Sequence, residues 1–458
     1  MKIEVPEKVE YIINTLKENG HEAYAVGGCV RDSILNRIPG DWDITTSASP
    51  WDVKELFPRT IDTGIQHGTV TVMLDKEGFE VTTYRLDGEY EDCRHPKQVE
   101  FTKSLEEDLK RRDFTINAMA YNNEDGIVDL FEGLEDIKRR RIRCVGSAVD
   151  RFEEDALRIL RAVRFSAQID FDIDDETREA IIQKAENLAN ISAERVREEL
   201  NKLFLSLHPD RLQIAYETGI TKIVLPEFDQ KKKEVIEIGS QVTNLGDVCL
   251  LMLNLISQKG CSDLYMYEPN DKKQVLRKLT SKEKLCLSYA VILHSNIKDS
   301  SEEVNEASAV AAKRVLQRLK FDNETIGMVT KLVRFCQFHI DSDTTSVRKA
   351  MNHMGVELMD LWFLLKRIMM EAEVSIESNK QHNHLESLYH LYTTIMNEKH
   401  CVCLKDLSIN GRDLIQLGCQ PGVGLGVLLE YLLSHVLEHP EDNNRETLIV
   451  LAKRKISE

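Results

Sequence analysis

Hydrophobic spacing changes character near residue 145. Before it, short β-branched or aromatic runs recur with glycine, proline or aspartate at their ends: HEAYAVGG, DWDITT, GTVTVMLD and GFEVTTYR. Runs of that length and composition predict strands. Between them, apolar residues three and four apart predict helices over Val9–Lys17, Val30–Leu35 and Asp52–Phe57. From Arg151 onward the spacing is helical almost throughout, broken at HPD (208), LPEFD (225) and KFDN (320). The stretches from Ser257 to Lys273 and from Asn296 to Ala307 read as linkers or loops, and no internal repeat is visible. The pattern predicts an α+β protein, with a small mixed head at 1–145 and helices thereafter.

Composition adds limits. With 458 residues, 42 % apolar and 30 % charged, the chain is long enough for about two to four domains and is not disordered as a whole. No apolar run approaches the roughly 20 residues a membrane helix needs. MKIEVPEKVEYII is too acidic and too interrupted for a signal peptide, so a cytoplasmic location is expected. Ten scattered cysteines form no CxxC pair, and Cys401 with Cys403 falls short of a zinc ligand set, so reduced thiols are expected. His382 and His384 lie in SNKQHNHLES, which reads as a polar loop rather than a metal site.

Sixty basic against 77 acidic residues give a net charge of −17, the opposite of the basic stripe expected of a nucleic-acid binder. The basic residues are bunched, however, at Lys110 to Arg112, Lys138 to Arg141 with Arg143, and Lys231 to Lys233. Binding follows the local field, so RNA is not excluded.

Chemistry concentrates in two short motifs of the head. Gly27-Gly28-Cys29-Val30-Arg31-Asp32 follows a strand and opens a helix. Two glycines there allow a tight turn and a close ligand approach, with helix N–H groups free for phosphate. Asp41 and Asp43 flank Trp42, and residues two apart on a strand share a face. Two carboxylates aimed at one point repel unless a divalent cation lies between them, and Mg²⁺ suits such oxygen ligands when phosphates complete its shell.

These motifs, with EEDLKRRDFTINAMA at 106–120 and EEDALRILRAVRF at 153–165, occur in an order that resembles the polymerase β-like nucleotidyltransferase superfamily. The resemblance is to the branch of CCA-adding tRNA nucleotidyltransferases and bacterial poly(A) polymerases, and it covers about the first 170 residues. It implies a catalytic head at 1–145, a base-reading helical neck at 146–215, a helical body at 216–335 and a tRNA-binding tail at 336–458. The implied reaction is template-independent addition of CCA to tRNA 3′ ends from CTP and ATP, with Mg²⁺ held by Asp41 and Asp43. Gly28, Arg31 and Arg112 match positions that hold the nucleotide's triphosphate or sugar. Arg161 and Arg164 match nucleotide-contacting arginines, and Glu80 is the candidate for a third carboxylate.

Asp155 and Arg158, three apart and expected on one helical face, carry their own logic. Cytosine and adenine both present an exocyclic amino group beside an unprotonated ring nitrogen. An aspartate accepts from the first while an arginine donates to the second, and uracil and guanine mismatch both. The bland reading is a surface salt bridge.

The segment from Asp87 to Pro96 matches a family loop that accompanies the switch from CTP to ATP. Enzymes that add only CC carry a shortened form. SYAVILHSN resembles a helix that bears a His-Asp pair in appended phosphohydrolase domains, but Ser295 follows His294, so a structural histidine is expected. The glycine-rich segment from Asn410 resembles the tail of CCA-adding enzymes. The remaining rivals are an A-adding enzyme, a poly(A) polymerase, against which the short C-terminus IVLAKRKISE argues, and a catalytically silent RNA-binding module, against which the intact Asp41 and Asp43 argue.

Overall fold

The computed structural model describes residues 2–87, 99–238, 241–259, 265–268, 273–276, 279–294, 302–373 and 378–457. The chain divides into two compact units, Met1–Asp229 and Gln230–Glu458.

The first unit opens with helix α1 (Glu7–Glu18), strand β1 (Ala23–Val26), α2 (Gly28–Ile34), β2 (Ile44–Thr46) and α3 (Pro50–Leu56). Then come β3 (Thr60–Gly64), β4 (Thr69–Leu74), β5 (Glu77–Thr83), β6 (Arg85–Asp87) and β7 (Val99–Phe101). After α4 (Leu105–Lys110) follow β8 (Met119–Asn122), β9 (Gly126–Asp129) and α5 (Gly133–Arg139). Seven strands form one mixed sheet in the order β3-β4-β5-β2-β1-β8-β9, while β6 and β7 pair apart from it. Only β2 and β5 run parallel within the seven-stranded sheet. The acidic pair lies in the loop just before β2, not on the strand that the alternation predicts. The Val26 N–H donates to the Asp43 carbonyl at 3.0 Å, which ties that loop to β1.

Two devices hold the head around this point. The Asp108 carboxylate, fully buried in α4, accepts from Arg111 Nε and Nη2 (3.0 and 2.7 Å), from Arg112 Nη2 (3.3 Å) and from Thr45 Oγ1 (3.0 Å). It joins the end of α4 to β2. Burial works to raise its pKa, but the two arginines overcome that and hold it below the usual carboxylate range. Asp129 caps α5 by accepting from the Gly133 and Leu134 N–H groups, both at 2.8 Å. There Gly133 sits so close that an added Cβ would lie 2.4 Å from the Thr115 carbonyl oxygen.

The neck continues from β10 (Arg141–Ile142) through α6 (Ala148–Glu154), α7 (Leu157–Ile169), β11 (Asp172–Ile173), α8 (Asp175–Lys184) and α9 (Ala193–Phe204). Asp155 falls between α6 and α7 in extended conformation (φ −138°, ψ 101°), so it is not on a helical face with Arg158. Its side chain accepts from the Leu157 N–H at 3.0 Å, a cap-like bond that competes with helix continuation.

The second unit is helical, as its spacing predicts, with two hairpins the pattern does not reveal. These are Val235–Ile238 with Gln241–Asn244, and Tyr265–Glu268 with Lys273–Leu276. Four-residue strands are too short to stand out from helical spacing. SNKQHNHLES is not a loop, since it opens the helix Ser378–Asn397. Leu385, Leu388, Tyr392 and Ile395 bury one face of that helix, and this outweighs its polar start. Among the described residues no helix is long and apolar enough to cross a membrane.

Gly133→Ala should lower stability by roughly 1–3 kcal/mol, because the Thr115 backbone must move to accept the methyl group. In a unit of this size that is a fall in melting temperature of about 2–10 °C by calorimetry. Asp108→Asn should cost roughly 3 kcal/mol, the low end for a broken buried pair, since both arginines retain some water contact. Asp108 is depressed in the fold, so its contribution is complete above the unfolded carboxylate value of about 3.9 and is lost as pH falls below it. The gap between wild type and Asp108→Asn should therefore narrow in melting curves taken at increasingly acid pH.

Candidate active site

The Gly27–Gly28 turn opens the site. Gly27 has φ 83°, which favours glycine, and a Cβ there would lie 3.2 Å from Arg112 Nη1. The turn starts α2 and brings Arg31 to the floor of a cavity of about 480 Å³. Gly27, Gly28, Arg31, Asp41, Asp43, Arg112, Arg161 and Arg164 all line it, so eight residues picked out from sequence converge on one recess.

Each arginine is held in place by its own acceptor. Arg31 donates to the Asn117 side-chain oxygen (2.6 Å) and to Asp32 Oδ1 (2.9 and 3.0 Å). Arg112 is fixed by Asp108, and Arg161 by Asp113 Oδ2 through Nε (2.8 Å) and Nη2. Arg164 forms a 2.9 Å ion pair with buried Glu199. The Arg31, Arg161 and Arg164 guanidinium carbons lie 5.0, 5.4 and 4.0 Å from the centre of the Phe165 ring. Burial would raise the Asp113 carboxyl, but Arg161 and Asn117 hold it far below the usual range. Burial instead pushes Arg164 down to about 10, against the pull of Glu199.

Asp41 and Asp43 also line a second cavity, of about 910 Å³, together with Trp42, Phe79 and Glu80. Surrounding protein raises the Asp43 carboxyl above its ordinary value, although the residue as a whole is exposed; Arg112 opposes the rise and Glu80 and Asp41 add to it. The fields of three carboxylates therefore overlap here. Among the described residues no ready-made cluster of three or more His, Cys, Asp or Glu ligands stands poised for a metal ion. Two aspartates with repelling neighbours nevertheless fit a hard cation that takes its other ligands from phosphate and water.

Asp155 and Arg158 do not line either cavity. Asp155 Oδ2 accepts from Arg195 at 2.8 Å, while Arg158 donates to Glu154 and to the Arg151 and Arg111 carbonyls. Arg158 stands three residues before Arg161 on α7, about 4.5 Å along the helix from the cavity wall.

The basic runs are mostly spent on internal partners. Arg111 binds Asp108, Arg139 binds Glu135, Arg140 binds Asp170, Arg143 binds Asp136 and Lys232 binds Asp247. Asp108, Asp113, Asn117, Arg195 and Glu199 are absent from the roles read in sequence, and Phe165 reads there as packing only. Only their nearness to motif arginines in RRDFTIN and LRAVRF could have pointed to some of them.

His294 is buried, with Nδ1 2.7 Å from the Val291 carbonyl, and burial and then Lys231 push its pKa down to about 3. His384 stacks on His339 and bonds Ser342. The segment expected to act as a nucleotide switch, Asp87 to Pro96, lies outside the described residues except for Asp87.

Comparison with known proteins places this geometry. Residues 23–143 match the poly(A) polymerase head domain, and 170–232 match a family described as "Probable RNA and SrmB-binding site of polymerase A". Residues 304–452 match tRNA nucleotidyltransferase domain 2. A CCA-adding enzyme of Lactobacillus delbrueckii subsp. bulgaricus is 56 % identical over 194 residues, covering 42 % of this chain and about half, 49 %, of that relative. The CCA-adding enzyme of Lactiplantibacillus plantarum is 33 % identical over 447 residues, 96 % of this chain and 94 % of its own. The Bacillus stearothermophilus CCA-adding enzyme solved in complex with CTP superposes with a TM-score of 0.71 at 30 % identity, over 99 % of this chain and 98 % of that one. With one-third identity along almost the whole of both chains and a fold shared to the same extent, this chain belongs to the CCA-adding enzyme family.

Proposed function

We propose that this protein adds CCA to the 3′ end of tRNA from CTP and ATP, releasing pyrophosphate, without a nucleic-acid template. The observation that carries the reading is the single cavity in which the Gly27–Gly28 turn, the Asp41–Asp43 pair and four anchored arginines meet. The relative solved with CTP and the tRNA nucleotidyltransferase match at 304–452 support the substrates. A tRNA substrate would place the protein in the cytoplasm. The four-part division at 145, 215 and 335 is carried forward as part of this proposal.

Membership of a nucleotidyltransferase family implies a divalent metal, and Mg²⁺ is the ion proposed, held by Asp41 and Asp43. When bound, it supplies charge neutralisation at the reacting phosphate and acidifies the attacking hydroxyl. The chain's own residues do the rest. Gly28 brings α2's first N–H groups to the phosphates, and Arg31 and Arg112 hold triphosphate or sugar in fixed orientation. Arg161 and Arg164 line the same cavity from α7 and contact the nucleotide. Glu80 is proposed as a third carboxylate acting through its field on Asp43.

Asp155 and Arg158 are proposed to read the base, Arg158 from about one turn before Arg161 on α7 and Asp155 from the link just ahead of that helix. Arg195 fixes the Asp155 carboxylate and leaves lone pairs for an exocyclic amino group. An A-adding enzyme and a poly(A) polymerase share this geometry. Incubation with tRNA ending at its discriminator base, with labelled CTP and ATP supplied separately and together, tests the proposal. Incorporation of ATP alone, with none of CTP, would replace it with one of those two.

Asp41→Ala and Asp43→Ala should each abolish nucleotide transfer while tRNA affinity stays within about twofold, because these carboxylates face the reacting phosphate and not the RNA. Turnover in either variant would remove them from catalysis. Asp155→Ala should narrow the CTP/UTP ratio in kcat/KM by about ten- to a hundredfold, the equivalent of roughly 1.5–3 kcal/mol for one charge-assisted hydrogen bond. A variant that slows with CTP but keeps full discrimination against UTP would leave Asp155 as a cap and a partner for Arg195 only.

A further inference from the structure

Charge pairing within the arginine-lined cavity is uneven. Arg31, Arg112, Arg161 and Arg164 each have a carboxylate of their own in Asp32, Asp108, Asp113 and Glu199. Two further cations line the same cavity and have none. The Lys202 ammonium makes no ion pair or hydrogen bond to any described residue. The Arg37 guanidinium uses one N–H, from Nη1 to the Gln168 carbonyl at 2.9 Å, and keeps its remaining donors. Both side chains are exposed, in contrast to the buried or half-buried inner arginines.

Their place is the mouth. Lys202 is three residues beyond Glu199 on α9, and Gln168 is four beyond Arg164 on α7, so both stand about one helical turn past the last inner pair. The hydrogen bond to Gln168 holds Arg37 at that level, against the end of α7. The mouth thus carries two positive charges without an ion-pair partner among the described residues, while each inner arginine has its own carboxylate and the unpaired charges beside them, Asp41 and Asp43, are negative. Lys202 also falls within 170–232, the stretch that matches a family described as RNA-binding.

We propose that Arg37 and Lys202 hold a backbone phosphate of the RNA's 3′-terminal strand at the mouth of this cavity. The incoming nucleotide's phosphates are held deeper, by the anchored arginines. Pre-paired guanidiniums fix direction for a small ligand that must be placed accurately. An exposed ammonium and a singly tethered guanidinium suit a phosphodiester that has to arrive, advance by one nucleotide and leave. This inference rests on the proposed function, since it assigns the mouth to that reaction's RNA substrate.

The test is the salt dependence of binding to a tRNA lacking CCA, measured by filter retention between about 50 and 200 mM salt. Lys202→Gln should weaken binding several-fold at low salt and reduce the slope of log affinity against log salt by roughly 0.7–0.9, the loss of one phosphate contact. Adding Arg37→Gln should weaken binding further without a second full step in slope, since the one phosphate contact is already lost, Lys202→Arg should restore the slope, and the KM for CTP should stay unchanged throughout. An unchanged slope in both variants overturns the inference. So does a raised KM for CTP with tRNA binding intact, which would give the mouth to the nucleotide. A wild-type protein that neither binds this tRNA nor incorporates CTP would overturn the functional reading itself, whereas failure of the variants alone leaves that reading standing.

Discussion

Three guanidinium groups surround one phenyl ring at Phe165, and like charges so placed do not stay together unaided. Two unit charges 6 Å apart repel by roughly 3 kcal/mol at an effective dielectric of about 20. The fold meets this with Asp32, Asp113 and Glu199, one carboxylate to each arginine, and with the face of the ring itself. Asp113 has the heaviest share. Its Oδ1 accepts from the Phe114 N–H and from Asn117, whose own oxygen accepts from Arg31, while its Oδ2 accepts from Arg161. Head and neck arginines are thereby joined through one acid. Buried pairs of this kind add little net stability, because desolvation offsets most of the attraction. What they supply is fixed direction.

Much of the head was legible in sequence because its signals are local. Strands bounded by glycine and aspartate, a Gly-Gly turn before a helix and two aspartates one residue apart are each visible within a ten-residue window. The cavity's inner supports were not, because they depend on burial. Asp108 in EEDLKRR looks like one more acid on a solvated helix, and only the fold makes it the buried hub of two arginines and Thr45. Glu199, 35 residues from Arg164, carries no sequence mark of that pairing. Helical spacing also ran through Asp155, where the carboxylate's own bond to the Leu157 N–H ends one helix and starts the next.

The negative total charge is a similar case. Sixty basic residues cannot outweigh 77 acidic ones, but the sum does not set the field at any one point. In this protein most members of the basic runs are neutralised by neighbours three or four residues away or by acids brought close in the fold, and of these runs only Arg112 lines the arginine-rich cavity. Sequence bunching was therefore a poor guide to where phosphate could bind. Convergence from separate elements was the better one.

Asp41, Asp43 and Glu80 stand out against this economy, since none of them makes an ion pair with a described residue. Arg112 is close enough for its field to lower the Asp43 carboxyl, and a guanidinium free to move would close onto it. Such a pair would neutralise the Asp43 carboxylate. Asp108 prevents it by holding Arg112 Nη2 at 3.3 Å, while its other oxygen takes Arg111. Thr45, two residues after Asp43, donates to the same Asp108 carboxylate at 3.0 Å, so the acid that restrains the arginine also positions the strand behind the aspartates. One buried carboxylate thus keeps two exposed ones chemically available. That is why burial, usually a reason to remove an acid, is where this fold keeps the acid its site depends on.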